Sequence, residues 1–217
     1  MLSGMSDHGR RDGVRRSYDA VAEAYAARFG DELAGKPLDR ALLAALAEQA
    51  VPDAPVADLG CGPGHVAAWL AAHGMRAVGV DLSPAMVAAA ARAHPDVEFR
   101  EGDLVALPAG DGEFGAAVAF YSIIHLGPGE LPAAFAEVRR TLLPGAPFLL
   151  SFHIGTEVRH LAEWLDQKVD VDFRFYQPDH IIGLLADTGF AVQMWMERVN
   201  HPAEVETCRA YLLAHRQ

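Results

Sequence analysis

Three acidic residues stand at the ends of three successive strand-like runs. Asp58 lies in Val56-Ala-Asp-Leu-Gly-Cys-Gly-Pro-Gly64, Asp81 closes Arg76-Ala-Val-Gly-Val-Asp81, and Asp103 follows Val97-Glu-Phe-Arg-Glu101-Gly102. After the first acid come Gly60, Gly62 and Gly64. Glycine in such a turn admits φ > 0 and lets a ligand approach the main chain where a Cβ would collide. The helical pattern His65-Val-Ala-Ala-Trp-Leu-Ala-Ala begins there, and the unpaired N–H groups of its first turn suit an anionic group. Asp58, at the mouth of the turn, suits a positive group on the same ligand. Asp81, about 20 residues past the glycines at the end of a second strand, is placed for a ribose diol. Asp103, with the backbone N–H that follows at Leu104, is placed to read an adenine edge. The spacing is G-x-G-x-G and not the G-x-G-x-x-G of the dinucleotide fingerprint.

A second set of residues suits proton transfer. His125, in Tyr121-Ser-Ile-Ile-His-Leu126, directly follows a fourth apolar strand, so it reaches the same rim and is the candidate general base. The alternative for it is a histidine that orients its loop. His153, near the end of a fifth strand, is a second rim histidine and a candidate contact to a substrate. Trp164, Phe173, Phe175 and Tyr176 either wall an apolar acceptor or pack the segment that carries them; Trp164 and Tyr176 are the substrate candidates among them. His65, His73, His94, His180 and His201 show no ligand spacing with Cys or carboxylates, so no metal site is expected.

These residues need elements to hold them. Val14, Tyr18, Val21, Tyr25 and Phe29 recur at spacings of three and four, an amphipathic helix. Gly30 and Gly35-Lys-Pro37 break it, and Pro37 opens a second helix to about Gln49. Strands then alternate with helices: an alanine-rich helix from Pro84 to about Ala93 with Ser83 as N-cap, a strand from Phe114 to Phe120, a helix from about Pro132 to Leu142, and a strand to about Ile154. The acidic segment 155–176 is an insertion before a helix that runs from Pro178 to about Thr188 and ends at Gly189. Two last strands, near Ala191–Val199 and Glu206–Ala214, complete the pattern. The expected fold class is α/β, with ligand chemistry at the carboxyl ends of a mostly parallel sheet.

Asp58-x-Gly60-x-Gly62-x-Gly64, Val80-Asp81-Leu82-Ser83 and Gly102-Asp103-Leu104 together resemble the class I S-adenosylmethionine-dependent methyltransferases of small-molecule type, over roughly residues 14–217. The resemblance implies a Rossmann-like three-layer sandwich: a seven-stranded, mostly parallel sheet with an antiparallel C-terminal edge hairpin. It implies one domain over 1–217, with the helices of about 12–50 and the insertion of about 155–176 forming a lid over the acceptor. It implies S-adenosylmethionine as cofactor and S-adenosylhomocysteine as product. By the same resemblance Gly60, Gly62 and Gly64 pass the methionine part, Asp81 and Leu82 take the ribose, and Met86 packs near the adenine. Asp103 and Leu104 hold the adenine edge, and Tyr121 lines the pocket. Tyr18-Asp-Ala-Val-Ala-Glu-Ala-Tyr25 resembles the family's closing helix, which puts both tyrosine hydroxyls at the methionine end. The expected function is methyl transfer to a small-molecule O, N or C nucleophile. The alternatives are a nicotinamide-dependent oxidoreductase, which shares the sheet and the ribose acid, and a non-catalytic cofactor-binding module.

Composition narrows the partners. A net charge of −11 argues against nucleic acid, since phosphate binding needs clustered cations. The one basic cluster, Arg10, Arg11, Arg15 and Arg16, reads as a solvated, partly frayed segment. Cys61 and Cys208 make no disulfide framework. No apolar run reaches membrane-spanning length, and residues 1–12 lack the apolar core of a signal peptide, so a cytoplasmic protein is expected, monomer or homodimer.

Overall fold

The structure, a computed structural model, describes residues 7–201 and 204–217. The expectation for residues 1–12 lies in part outside the described residues. Two helices precede the sheet, α1 (Asp7–Phe29) and α2 (Pro37–Gln49), with a single 3-10 turn (Glu32–Gly35) between them. The chain then alternates: β1 (Val56–Leu59), α3 (His65–Ala72), β2 (Ala77–Asp81), α4 (Pro84–Ala93), β3 (Glu98–Glu101), β4 (Ala116–Phe120), α5 (Leu131–Thr141) and β5 (Pro147–His153). After it come β6 (Val158–Trp164), β7 (Gln167–Arg174), α6 (Pro178–Asp187), β8 (Phe190–Arg198) and β9 (Arg209–Arg216).

Seven strands form one sheet in the order β3-β2-β1-β4-β5-β9-β8. The first five are parallel, and β9 runs antiparallel between β5 and β8. The central strands read as continuous apolar runs because helices cover both faces. On one face Leu131, Phe135 and Val138 of α5 and Ile181 and Leu185 of α6 meet the sheet. On the other, Leu43 and Leu46 of α2 and Val66 and Leu70 of α3 do so. Strand order reverses between β1 and β4, and that switch point opens a crevice at their carboxyl ends.

Three expectations are corrected. The first helix begins at Asp7, so the arginine cluster is ordered helix and not a frayed segment. Its order follows from pairing: Arg10 and Arg11 both reach the buried Glu130, at 2.9 and 2.5 Å. The last strand starts at Arg209 and not near Glu206, because Glu204 accepts from the His201 N–H (2.8 Å) and from both terminal nitrogens of Arg198 (2.7 and 2.9 Å). Those bonds curl the preceding segment into a turn. The 155–176 insertion, for which the sequence suggested no element, is the β6–β7 hairpin. Leu165 and Asp166 at its tip both have positive φ (50° and 61°), the backbone of a two-residue hairpin turn. The N-cap of α4 is as expected: the Ser83 hydroxyl accepts from the Met86 N–H at 3.1 Å.

Candidate functional site

A cavity of about 140 Å³ opens at the switch point. Its floor is the glycine turn. Gly60 and Gly62 lie on the cavity wall with φ of 76° and 51°, while Gly64 (φ 83°) does not line it. The three glycines answer different demands. A Cβ on Gly60 would sit 2.3 Å from the Ser122 Cβ, and one on Gly64 would sit 2.6 Å from the Phe99 ring. At Gly62 the nearest atom is 3.8 Å away, on Tyr25. Gly62 alone faces open space, so it keeps the main chain bare towards a ligand.

The three strand-end carboxylates are held by backbone N–H groups. Asp58 Oδ2 accepts from Ala67 N at 3.0 Å, and its other oxygen has no hydrogen bond among the described residues. Burial raises Asp58 to about 7. Asp81 accepts from Gly62 N (2.8 Å) on one oxygen and from Ser83 N (2.9 Å) on the other, and burial raises it too. Each carboxylate oxygen has a second acceptor position to spare. Asp103 Oδ1 accepts from Val105 N at 3.1 Å, while its Oδ2 pairs with Arg11 at 2.9 Å. Asp58, Asp81, Leu82, Asp103 and Leu104 all line the cavity.

Helix α1 covers it. Tyr18 and Tyr25 line the cavity and stand edge to face, 6.0 Å between ring centroids. Trp164, from the tip of β6, packs edge-on against both, at 5.6 and 5.3 Å, and does not itself reach the cavity. Asp19, beside Tyr18, accepts from the Ser83 hydroxyl (2.6 Å) and pins α1 to the start of α4. Met86 is fully buried with Val21 and Ala22 beneath α1, away from the cavity wall.

His125 lies on the wall in a single 3-10 turn (Ile123–His125) after β4. Its Nδ1 is 3.0 Å from the carbonyl oxygen of Asp172. A carbonyl only accepts, so Nδ1 carries the proton and Nε2 is bare. The Tyr18 hydroxyl, 2.7 Å from Nε2, therefore donates to it. Burial lowers His125 to about 4, which leaves the ring neutral near pH 7. His153 and Tyr176 stand apart from the cavity. His153 Nδ1 is bonded to Thr207 (2.9 Å) and its ring stacks on Phe175. The Tyr176 hydroxyl donates to the Leu126 carbonyl.

Sequence reasoning passed over Arg11, Glu32, Asp39, His65 and Ser122, which all line the cavity. One of them had a signal. Asp39, Leu43 and Leu46 are spaced by four and three, and all three are buried on α2. A carboxylate in phase with buried leucines faces inward. Tyr121, which also lines the cavity, has a φ of 53°. A non-glycine residue there costs on the order of 1–3 kcal/mol and often marks a functional site.

An open α/β sheet with a glycine turn and a row of carboxylates at its switch point defines a nucleotide-type binding protein. Comparison with known proteins is more specific. Residues 56–145 match the Methyltransferase domain family. The chain is 34% identical over 170 residues to the demethylmenaquinone methyltransferase of Beutenbergia cavernae, covering 71% of this chain and 67% of that one. It is 33% identical over 114 residues to an uncharacterized methyltransferase of Synechocystis, covering 52% and 51%. The chain thus spans about half to two thirds of these two relatives. Its fold is that of the Burkholderia thailandensis 1,6-didemethyltoxoflavin-N1-methyltransferase, solved with S-adenosylhomocysteine (TM-score 0.76, 20% identity, 100% of this chain and 93% of that one). This chain belongs to the S-adenosylmethionine-dependent methyltransferases. Among the described residues no helix is long and apolar enough to cross a membrane.

Proposed function

We propose that this protein transfers the methyl group of S-adenosylmethionine to an O, N or C nucleophile of a small molecule, with His125 taking the proton. The observation that carries the reading is the row of Asp58, Asp81 and Asp103 around Gly62 in one cavity. The donor groups of the sulfur nucleotide match that row. The free oxygen of Asp58 suits the methionine ammonium, Asp81 the ribose hydroxyls, and Asp103 the adenine amine. Gly62 leaves room for the ligand's chain. When bound, the cofactor supplies an electrophilic methyl group on a cationic sulfur.

The residues then orient and deprotonate the acceptor. Alignment for an in-line attack contributes up to roughly 7–11 kcal/mol. A nucleophile that gains a methyl group becomes acidic, so a weak base is enough to collect its proton. His125 Nε2 is bare and aimed at the cavity through Tyr18. An acceptor proton reaches it when the acceptor replaces the tyrosine hydroxyl, or when Tyr18 takes that proton while handing over its own. The second path keeps Tyr18 neutral, as its burial and strongly raised pKa require. We also read α1, α2 and the β6–β7 hairpin as the acceptor lid of a single domain. Its support is Trp164, wedged against Tyr18 and Tyr25.

The test is calorimetric titration with S-adenosylmethionine, S-adenosylhomocysteine and NADH, followed by a methylation screen of phenols, amines and sugars. Saturable binding of the first two, and methylation of at least one acceptor, is expected. Binding of NADH alone overturns the reading, and cofactor binding with no methylated product favours a non-catalytic module.

A further inference from the structure

On the wall beside the glycine turn, α2, β4, β8 and β9 bring together a buried polar network that the proposed transfer does not use. The Tyr211 hydroxyl donates to Asp39 Oδ1 at 2.9 Å. Arg198 donates to the same hydroxyl oxygen, through Nη2 at 2.8 Å and Nε at 3.2 Å. The Tyr121 hydroxyl lies 3.0 Å from that oxygen as well. A phenol has one proton and two acceptor positions. The proton of Tyr211 is committed to Asp39, so the Tyr121 contact can only be a donation to Tyr211, with the two Arg198 nitrogens sharing the other acceptor position of that oxygen. The lone pairs of Tyr121 are then what it can offer the cavity.

Asp39 completes the pattern. Its Oδ2 has no hydrogen bond among the described residues, although the residue is 1% exposed and lines the cavity. Glu32, the other carboxylate nearby, has both oxygens occupied, by Lys36 at 2.7 Å and His65 at 3.1 Å. Two cations stand behind this wall, Arg198 Nη2 at 3.9 Å from Asp39 Oδ1 and Lys36 Nζ at 5.8 Å from the centre of the Tyr121 ring, and neither lines the cavity. Arg198 spends its nitrogens on Tyr211, Glu204 and the Val199 carbonyl, and it does not line the cavity. The arginines that do line it, Arg11 and Arg15, lie one turn apart on α1, where Arg11 is anchored on Asp103. Ser122 Oγ, buried on the wall with no partner among the described residues, rotates to give or accept and sets no polarity.

We infer that Asp39 and Tyr121 form the recognition subsite for the methyl acceptor, and that the acceptor presents a hydrogen-bond-donating group there, an amine in preference to a hydroxyl and never a carboxylate. The inference rests on the proposed methyl transfer. The cofactor's own donors are accounted for at Asp58, Asp81 and Asp103, which leaves Asp39 Oδ2 for a second molecule. A carboxylate oxygen only accepts, so one left free on the cavity wall favours a donor over a second acceptor, and this wall selects by polarity as well as by shape.

The test uses the whole chain saturated with S-adenosylhomocysteine and three probes of one shape: benzylamine, benzyl alcohol and phenylacetate. Binding is read by calorimetry or ligand-observed NMR. Benzylamine is expected to bind about tenfold more tightly than the alcohol, with phenylacetate the weakest. Asp39→Asn, which still accepts from Tyr211, is expected to abolish the preference for the amine over the alcohol while S-adenosylhomocysteine affinity stays the same. Tyr121→Phe should weaken benzylamine severalfold. Equal binding of all three probes, or binding of none, overturns the inference and leaves the methyl transfer standing. A large loss of S-adenosylhomocysteine affinity in Asp39→Asn also overturns it, by placing Asp39 on the cofactor. Failure of the unmutated protein to bind S-adenosylhomocysteine at all removes the proposed function and this inference with it.

Discussion

The two halves of the cavity are built differently. On the β1–β2–β3 side, each carboxylate is gripped by a backbone N–H within about a score of residues: Asp58 by Ala67, Asp81 by Gly62 and Ser83, Asp103 by Val105. On the β4–β9 side, side chains grip side chains over long separations. Tyr211 reaches Asp39 across 172 positions, Tyr18 reaches His125 across 107, and Tyr121 reaches Tyr211 across 90. Backbone donors are the same whatever the side chain, so the first half suits a ligand that does not vary. Side-chain donors change with every substitution, so the second half suits an acceptor that differs from one relative to the next.

Substitutions should separate the halves. His125→Ala is expected to cut turnover by about 10²–10⁴-fold, with S-adenosylmethionine affinity changed little; normal turnover on a confirmed acceptor would remove His125 from proton transfer. The glycine turn divides in its own way. Gly60→Ala should destabilise the fold by about 2–5 kcal/mol, from left-handed strain plus the clash with Ser122. Gly62→Ala should cost only about 1–2 kcal/mol of stability while lowering cofactor affinity. Chemical denaturation alongside calorimetry compares the two, and equal destabilisation contradicts the assignment of Gly62 to ligand approach.

Asp81→Ala should weaken S-adenosylhomocysteine about a hundredfold, since hydrogen bonds to a charged group contribute ~1.5–3 kcal/mol each. An affinity near that of the unmutated protein would sink the ribose role. The smallest effect is the dependence on pH. Asp58 sits at about 7 in the free protein because burial disfavours its charge. A ligand ammonium favours the ionised form, so cofactor affinity should be level above pH 7. Below it, affinity should fall by up to about tenfold per unit, because the proton must leave before the ligand binds. His125, lowered to about 4, stays unprotonated through the same range, so turnover at saturating cofactor should show no acid limb near 6.5. A shared limb in both quantities would mean that one group controls both halves.

Much of the first half was legible in the sequence because its motif is local. An acid, a glycine turn and a helix start lie within a dozen residues, and strand alternation puts the next two acids on the same rim. The helix boundaries of α2, α3 and α4 were equally readable from Pro37, His65 and the Ser83-Pro84 cap. The insertion was not, because β6 and β7 are mostly exposed and carry no clean apolar alternation. His153, Trp164 and Tyr176 lie off the cavity wall: His153 bonds Thr207, Trp164 packs on Tyr18 and Tyr25, and Tyr176 bonds the Leu126 carbonyl.

The amino-acid sequence by itself determined the fold class, the row of strand-end carboxylates and the family, because these follow from residues close together and from backbone groups every residue shares. Only the tertiary structure decided which nitrogen of His125 is bare, since that depends on a carbonyl of β7. Only it set Asp39 against Tyr211 and brought the Tyr121 hydroxyl to the same oxygen. Hydrogen-bond direction between distant side chains is fixed by counting protons around a closed network. That count begins only when strand order has placed β9 beside β5 and α2 above both.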